Sequence, residues 1–336
     1  MKDTKNLVLG VTLGDATGIG PELIVKALND NEIKKLATWV IVDDKRVLKQ
    51  GEEIAGSQID IIEIEEISQV VPENGKIYII DLKNLDPKDY KLGVLSEKAG
   101  KASGDTLKYL LEISQHNKID GVIYGPLNKE ALQRGGHHFK DELHFFADLL
   151  NCKHGFGEIN ILDDLWICRV TSHIPMKEVS SYITKENVLD RIHFAHRNLT
   201  RAGYNNPKIA VASYNPHSGE GGLTGTEEID AIIPAVKEAQ KEGINVVGPY
   251  SADTIFLRLE KEAINCLLAM YHDQAQIGMK LMGFNRGVTM SAGLPVVLTT
   301  PAHGTAFDIA GKGIADIGPT KAAIKMLVRM NSNNKF

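Results

Sequence analysis

The chain has 336 residues, enough for two domains or one large α/β unit, and its 43% hydrophobic and 24% charged residues are the proportions of a globular protein, not a disordered one. A formal net charge of -5 with 6% aromatic residues argues against a nucleic-acid surface, because a phosphate polyanion requires a basic face. No apolar run approaches the roughly 18 residues of a membrane-spanning helix, the N-terminus has no signal-peptide pattern, and Cys152, Cys168 and Cys266 are too few and too scattered for a disulfide scaffold, so a cytoplasmic, reducing location is expected.

Apolar runs of strand length at 8–13, 39–43, 59–64, 77–81 and 121–124 alternate with helical spacings at 21–28 and 100–116. This alternation predicts parallel strands with crossover helices. Residues 158–171 differ: two apolar stretches flank Asp163-Asp164, which predicts a hairpin and some antiparallel pairing. A helix is predicted at 185–201, with Thr184 as its cap, and a strand at 208–213. The helical pattern at 227–242 opens on two acids that suit the positive end of the helix dipole, and Pro234 is expected to kink it. Strands at 264–271 and 295–300 and a helix at 319–330 follow, and the polar tail 331–336 is expected to fray.

Three glycine-rich segments follow predicted strands. Gly14-Asp15-Ala16-Thr17-Gly18-Ile19-Gly20-Pro21-Glu22 lacks the third glycine of the dinucleotide fingerprint and reads as a packing turn or a ligand loop. Asn215-Pro216-His217-Ser218-Gly219-Glu220-Gly221-Gly222 is a surface turn, or a loop whose glycines allow close ligand approach. The stretch from His303 to Gly313 has backbone donors able to cradle a phosphate or wrap an adenosine, or forms a turn only. His173, His217 and His272 each follow a predicted strand, where open α/β folds collect ligands, but no local metal pattern joins them. His138 and His144 around Glu142 form a rival cluster that reads most simply as a solvated helix start.

Taken in order, 14–22, Pro126-Leu127-Asn128-Lys129, Ser172-His173-Ile174-Pro175, 215–222, 248–256, Tyr271-His272-Asp273-Gln274 and 303–313 make the chain similar to the 4-hydroxythreonine-4-phosphate dehydrogenase family of vitamin B6 (pyridoxine) synthesis, over essentially its whole length and as a divergent, second-type member. Residues 18–22 and 303–313 also look like isocitrate and isopropylmalate dehydrogenases. The resemblance implies an α/β fold of two α/β/α lobes with the active-site cleft between them. A first, cofactor-side lobe would comprise 1–127 and 289–336, and a second, 128–288, the metal ligands and the dimer interface. It implies a homodimer with a shared active site and a divalent metal (zinc, nickel, cobalt or magnesium) on His173, His217 and His272, one of them from the other chain. It further implies Asp273 and Lys129 as groups that orient a ligand or carry a proton, and Lys280 on a substrate phosphate or carboxylate. NAD, or NADP, would lie on Gly14, His303, Gly304, Thr305, Ala306, Asp308 and Gly311. The implied chemistry is oxidation of a 3-hydroxy acid and loss of carbon dioxide from the resulting 3-keto acid, with one metal stabilising negative charge on oxygen in both steps.

The chain departs from the family pattern where substrate is held. The family's G-H-T-E becomes Asp141-Glu142-Leu143-His144 before Phe145-Phe146, so the substrate-binding His-Thr pair falls on Glu142 and Leu143. The family's substrate asparagine falls on Thr289 and its arginine on Leu298. Removing one partner of a buried guanidinium–anion pair costs on the order of 3–5 kcal/mol. The expected substrate is therefore a related small hydroxy acid, a four-carbon sugar-acid phosphate such as threonate or erythronate 4-phosphate. The alternatives are 4-hydroxythreonine 4-phosphate itself and a non-phosphorylated diol acid resembling a terephthalate dihydrodiol. A phosphate acyltransferase-like enzyme and a non-catalytic ligand-binding protein are the competing classes; the three histidines count against both, and the 303–313 segment against the first.

Overall fold

Fully buried strands read as near-continuous runs of Val, Ile and Leu, because a parallel sheet has both faces covered. In the computed structural model, which describes residues 6–116, 118–283 and 286–332, every residue of β1 (Val8–Thr12) is buried. The chain continues through α1 (Gly20–Asn29), α2 (Asn31–Lys34), β2 (Thr38–Asp43), α3 (Lys45–Ala55), β3 (Ile62–Ile64), β4 (Ile77–Asp81), α4 (Glu97–Gln115), β5 (Gly121–Tyr124), α5 (Lys129–Arg134) and α6 (Glu142–Leu149). Next come β6 (Gly157–Leu162), β7 (Leu165–Arg169), α7 (Val179–Tyr182), α8 (Lys185–Arg201), β8 (Ile209–Ala212), α9 (Ile233–Lys241), β9 (Val246–Tyr250), α10 (Ala252–Leu259), β10 (Cys266–Ala269) and α11 (His272–Gly283). The last elements are β11 (Gly287–Ala292), β12 (Val297–Pro301) and α12 (Gly318–Ser332). Of the tail expected to fray, Asn331 and Ser332 are instead helical; 333–336 lie outside the described residues.

Two compact units divide the chain, Met1–Phe156 with Asn285–Phe336, and Gly157–Phe284. In the first, the strand order is β3-β4-β2-β1-β5-β12-β11, parallel except for β11 against β12. Its core includes Val40, Leu107, Leu110, Val122, Tyr124, Phe146 and Leu298. The unit extends to 156, past the expected 127, because α5 and α6 lie on α4. Gly100 and Ala131 approach so closely that a Cβ on Gly100 would stand 1.9 Å from the Ala131 carbonyl oxygen, and Gln115 Nε2 donates to the Leu149 carbonyl at 2.9 Å. It resumes before 289 because β11 already pairs with β12.

In the second unit the order is β6-β7-β10-β8-β9. β6 and β7 form the antiparallel hairpin expected around Asp163-Asp164, and Asp163 takes the left-handed conformation, φ 54°, that aspartate tolerates in turns. The remaining pairs are parallel. Thr184 caps α8 by accepting the Asn187 N–H. Helical structure runs over 227–241, close to the expected 227–242, but its first part, Glu228–Ile232, is a π-turn that leads into α9, with Pro234 just beyond it. The helical backbone is continuous across the junction, the Ile233 N–H donating to the Glu228 carbonyl, so Pro234 lies inside the helix and the wider π-turn before it accommodates the missing N–H.

Candidate active site

The strand order brings β7, β10 and β8 side by side, so the loops leaving their C-terminal ends are neighbours. These loops carry His173, His272 and His217 respectively. The His173 and His272 rings lie 5.5 Å apart, centroid to centroid. His272 opens α11, and its Nδ1 donates to Asp273 Oδ1 at 2.7 Å, which orients the ring. Gln274, one turn into α11, ties the loops together. Its Oε1 accepts the Met270 N–H at the end of β10, and its Nε2 donates to the Ser213 carbonyl beyond β8, both at 2.7 Å. Among the described residues of one chain, no group of three or more His, Cys, Asp or Glu side chains is placed to hold a metal. Lys280 is exposed on the last turns of α11.

His217 sits on an unusual backbone. Residues 217–222 all have positive φ, from 45° at Glu220 to 103° at Gly222. Glycine adopts this region freely, but His217, Ser218 and Glu220 each sit there at a cost of roughly 1–2 kcal/mol. Side chains hold the turn. Ser218 Oγ is 2.6 Å from Ser213 Oγ and 3.3 Å from Ser251 Oγ, and buried Glu228 accepts the N–H groups of Tyr214 and Asn215, both at 2.8 Å. The sequence showed Glu228 only as an acid opening a helix, so this contact was missed; the signal was an acid pair closely following a glycine loop.

In the first unit, two of the glycine-rich segments meet. Ile19 N–H donates to the Thr305 carbonyl at 3.1 Å, and a Cβ on Gly18 would stand 2.7 Å from that same oxygen. Buried Glu22 accepts the Ala315 N–H at 2.8 Å and Lys26 Nζ at 2.7 Å, and Lys26 in turn donates to the Gly313 carbonyl at 2.9 Å. Gly14 is pressed on the end of β5, where a Cβ would lie 2.5 Å from the Gly125 carbonyl. Within the later segment, His303 Nδ1 lies 3.1 Å from the Gly304 carbonyl. Gly304 and Asp308 are exposed, Ala306 has φ 44°, and Gly311 has φ 80°.

Two buried carboxyls support this side, and neither was foreseen. Asp15 is 1% exposed; Oδ1 accepts Thr17 N–H and Oγ–H, Oδ2 has no hydrogen-bond partner, and burial pushes its carboxyl up. Burial drives Asp43 up to about 7 against hydrogen bonds from the Leu13 and Asp44 N–H groups.

Of the four expected substrate positions, Glu142 meets Tyr124, at the end of β5, and the others lie on α6, β11 and β12. Tyr124 O–H donates to Glu142 Oε2 at 3.3 Å, and its carbonyl accepts Thr300 Oγ–H at 2.8 Å. Thr289 is the β11 partner of Thr300. Leu143 packs on the apolar cluster that contains Tyr124 and Leu298, and Leu298, at 0% exposure, presents no surface to solvent. The rival cluster is a capped helix start: Asp141 Oδ1 accepts the His144 N–H and lies 2.6 Å from its Nδ1. Lys129 is exposed at the start of α5, behind the Asn128 cap.

A family model described as "Pyridoxal phosphate biosynthetic protein PdxA" matches residues 35–327. A relative from Rhizobium meliloti (strain 1021), provisionally named 4-hydroxythreonine-4-phosphate dehydrogenase 2, is 43% identical over 326 residues, 96% of this chain and 93% of its own. One from Oceanobacillus iheyensis, provisionally named D-threonate 4-phosphate dehydrogenase, is 39% identical over 93% of this chain and 94% of its own. The crystal structure of a 4-hydroxythreonine-4-phosphate dehydrogenase from Burkholderia phymatum matches with a TM-score of 0.81 at 36% identity, covering 97% of this chain and 98% of that one. By the matched profile and by full-length identity, the chain belongs to the PdxA family of pyridoxal phosphate biosynthetic proteins.

Proposed function

We propose that this protein is a metal- and nicotinamide-dependent dehydrogenase that oxidises and decarboxylates a 3-hydroxy acid, with a four-carbon sugar-acid phosphate such as threonate or erythronate 4-phosphate as substrate. The observation that carries the reading is the pair of imidazoles, His173 and His272, at the ends of adjacent strands, with His217 on the next strand's loop. The donor chemistry fits a zinc-, nickel- or cobalt-type cation: neutral imidazoles, one of them oriented by a carboxylate. With no three-ligand group among the described residues of one chain, the reading takes one histidine from a second copy. Ile277 and Leu281 on α11, 62% and 84% exposed, supply apolar surface for such a homodimer beside His272.

When bound, the metal supplies Lewis acidity toward oxygen and the nicotinamide, NAD or NADP, supplies a hydride acceptor. The chain's own groups do the rest. Asp273 holds the His272 ring; Lys280 neutralises the substrate's phosphate or carboxylate; Lys129 or Asp273 takes the carbinol proton. The backbone of 303–311 with Gly14 binds the cofactor. The surroundings of Tyr124 support the choice of substrate, since Glu142, Leu143, Thr289 and Leu298 stand where the resemblance puts cationic and polar contacts to 4-hydroxythreonine 4-phosphate. The name of the Oceanobacillus relative points the same way.

The test is steady-state NAD reduction with added divalent metals across threonate 4-phosphate, erythronate 4-phosphate, 4-hydroxythreonine 4-phosphate and a free diol acid. The expected result is kcat/KM of about 10⁴ M⁻¹s⁻¹ or more for a sugar-acid phosphate, at least about tenfold above the others. The same value for 4-hydroxythreonine 4-phosphate would overturn the substrate assignment and leave the reaction class standing.

A further inference from the structure

We infer that Glu228 is a positioning residue, whose carboxylate holds the left-handed turn at 217–222 in the conformation that presents His217 for ligation. The inference rests on the metal-site reading above for its consequence, but not for its geometry. Glu228 is 1% exposed and spends both oxygens on the segment leading into the turn. Oε1 accepts the Tyr214 and Asn215 N–H groups, each at 2.8 Å, and Oε2 accepts Asn215 Nδ2 at 2.9 Å. None of these donors belongs to the helix that Glu228 opens, so the side chain is not there to serve the helix dipole.

The π-turn at Glu228–Ile232 accounts for the placement. The extra residue in the turn shifts the side-chain register at the start of the helix. The fit around the carboxylate is close on every side. A Cβ on Gly219, in the middle of the left-handed turn, would stand 2.9 Å from Glu228 Oε2 and 2.8 Å from the Gly225 carbonyl. Gly225, at φ 141°, lies under the Asn215 amide, and a Cβ there would come within 2.4 Å of it. Thr224 closes the loop, its N–H donating to the Gly219 carbonyl and its Oγ–H to the Pro216 carbonyl.

A carboxylate is the group this site requires. Three N–H donors converge, and an ionised carboxylate is acceptor-only on both oxygens. Glutamine keeps one oxygen for the two backbone N–H groups but turns an NH₂ toward the Asn215 amide nitrogen; alanine leaves the two backbone N–H groups without their partner and Asn215 Nδ2 with its 2.6 Å bond to Glu227 Oε2 alone. With the clamp gone, three non-glycine residues in the left-handed region have less to hold them there, and His217 samples other orientations. A ligand that must first be ordered binds metal more weakly.

The experiment uses the full chain in wild-type, Glu228→Ala, Glu228→Gln and His217→Ala forms. Cobalt(II) is the probe, with affinity from chelator competition and geometry from the visible spectrum; amide hydrogen exchange of the metal-free protein is read in parallel. Glu228→Ala is expected to weaken cobalt affinity by about 10–100-fold and to speed exchange at 213–226, with protection elsewhere kept and a lower urea midpoint, since two buried N–H groups lose their acceptor. Glu228→Gln should fall between it and wild type, and it carries the test if the alanine variant does not fold. Wild-type affinity and wild-type protection at 213–226 in both variants would overturn the inference. Equal cobalt binding by wild type and His217→Ala would instead sink the metal reading; exchange at 213–226 then decides the clamp alone.

Discussion

The glycine-rich loops after β1 and after β8 share composition and are built on opposite principles. In 14–22, glycine is needed because there is no room: carbonyls of Leu13, Gly125 and Thr305 stand where the Cβ atoms of Gly20, Gly14 and Gly18 would be. Backbone bonds to Pro126 and Thr305 then hold the loop. In 217–222, Gly219 is hemmed in by Gly225 and Glu228, but nothing lies within 4 Å of a Cβ on Gly221, and there glycine is needed for its positive φ. Each loop has a buried carboxyl at its base, Asp43 receiving the Leu13 N–H and Glu228 receiving those of Tyr214 and Asn215. One loop is fixed by exclusion, the other by attachment, and only the second leaves its side chains free to meet a ligand.

That contrast can be broken by substitution. The largest effect is expected from His217→Ala. Turnover should fall by about 10³-fold or more, the several kcal/mol that Lewis-acid activation supplies, with metal content lowered and the urea midpoint kept; unchanged activity removes His217 from the site.

Next is the pH dependence at the base of the first loop. Asp43 has its carboxyl raised by burial from 3.8 to about 7. Its contribution to stability is therefore fully present below pH 4 and declines as pH rises toward 7, because the unfolded chain releases the proton first. The loss is at most about 4 kcal/mol. Urea midpoints of wild type minus Asp43→Asn should fall across that window, and a flat difference would show Asp43 to be better solvated than its burial indicates.

Gly20→Ala, with its Cβ 2.0 Å from the Leu13 carbonyl oxygen, should cost about 3 kcal/mol by overpacking. Gly221→Ala, unobstructed but at φ 69°, should cost about 1–2 kcal/mol. Equal losses on chemical denaturation would erase the distinction between the loops. The smallest effect is expected from Glu220→Gly: it relieves φ 45° at an exposed position and should raise stability by no more than about 1 kcal/mol.

What could be read from the sequence followed the range of the forces involved. The β1 and β2 strands, the Asp163-Asp164 hairpin and the Thr184 cap depend on neighbours within a few residues, and each announces itself in a short window. The meeting of 14–22 with 303–313 depends on contacts such as the Ile19 N–H to the Thr305 carbonyl, across most of the chain; glycine content marked both segments, but nothing local showed that they meet. The contact of Glu142 with Tyr124 was invisible because Tyr124 looks like any aromatic closing a buried strand. Glu228 was misread because an acid at a helix start already has a sufficient local explanation, and the π-turn that redirects it leaves no compositional mark. The 128–156 stretch was assigned to the wrong side of the expected boundary, since its helices are short and only their close approach to α4 shows where they belong.

The split first unit has a consequence for biogenesis. β5 ends at Tyr124, yet its parallel neighbour β12 begins only at Val297. During translation at roughly 5–20 residues per second, the interval between them is on the order of ten to thirty-five seconds. For that time the nascent β3-β4-β2-β1-β5 array has β5 as an open, fully apolar edge, the kind of strand that recruits foreign partners. Ribosome-associated chaperones would be expected to engage the chain in this window, and slowing codons placed after 124 should lower soluble yield more than the same codons placed after 301.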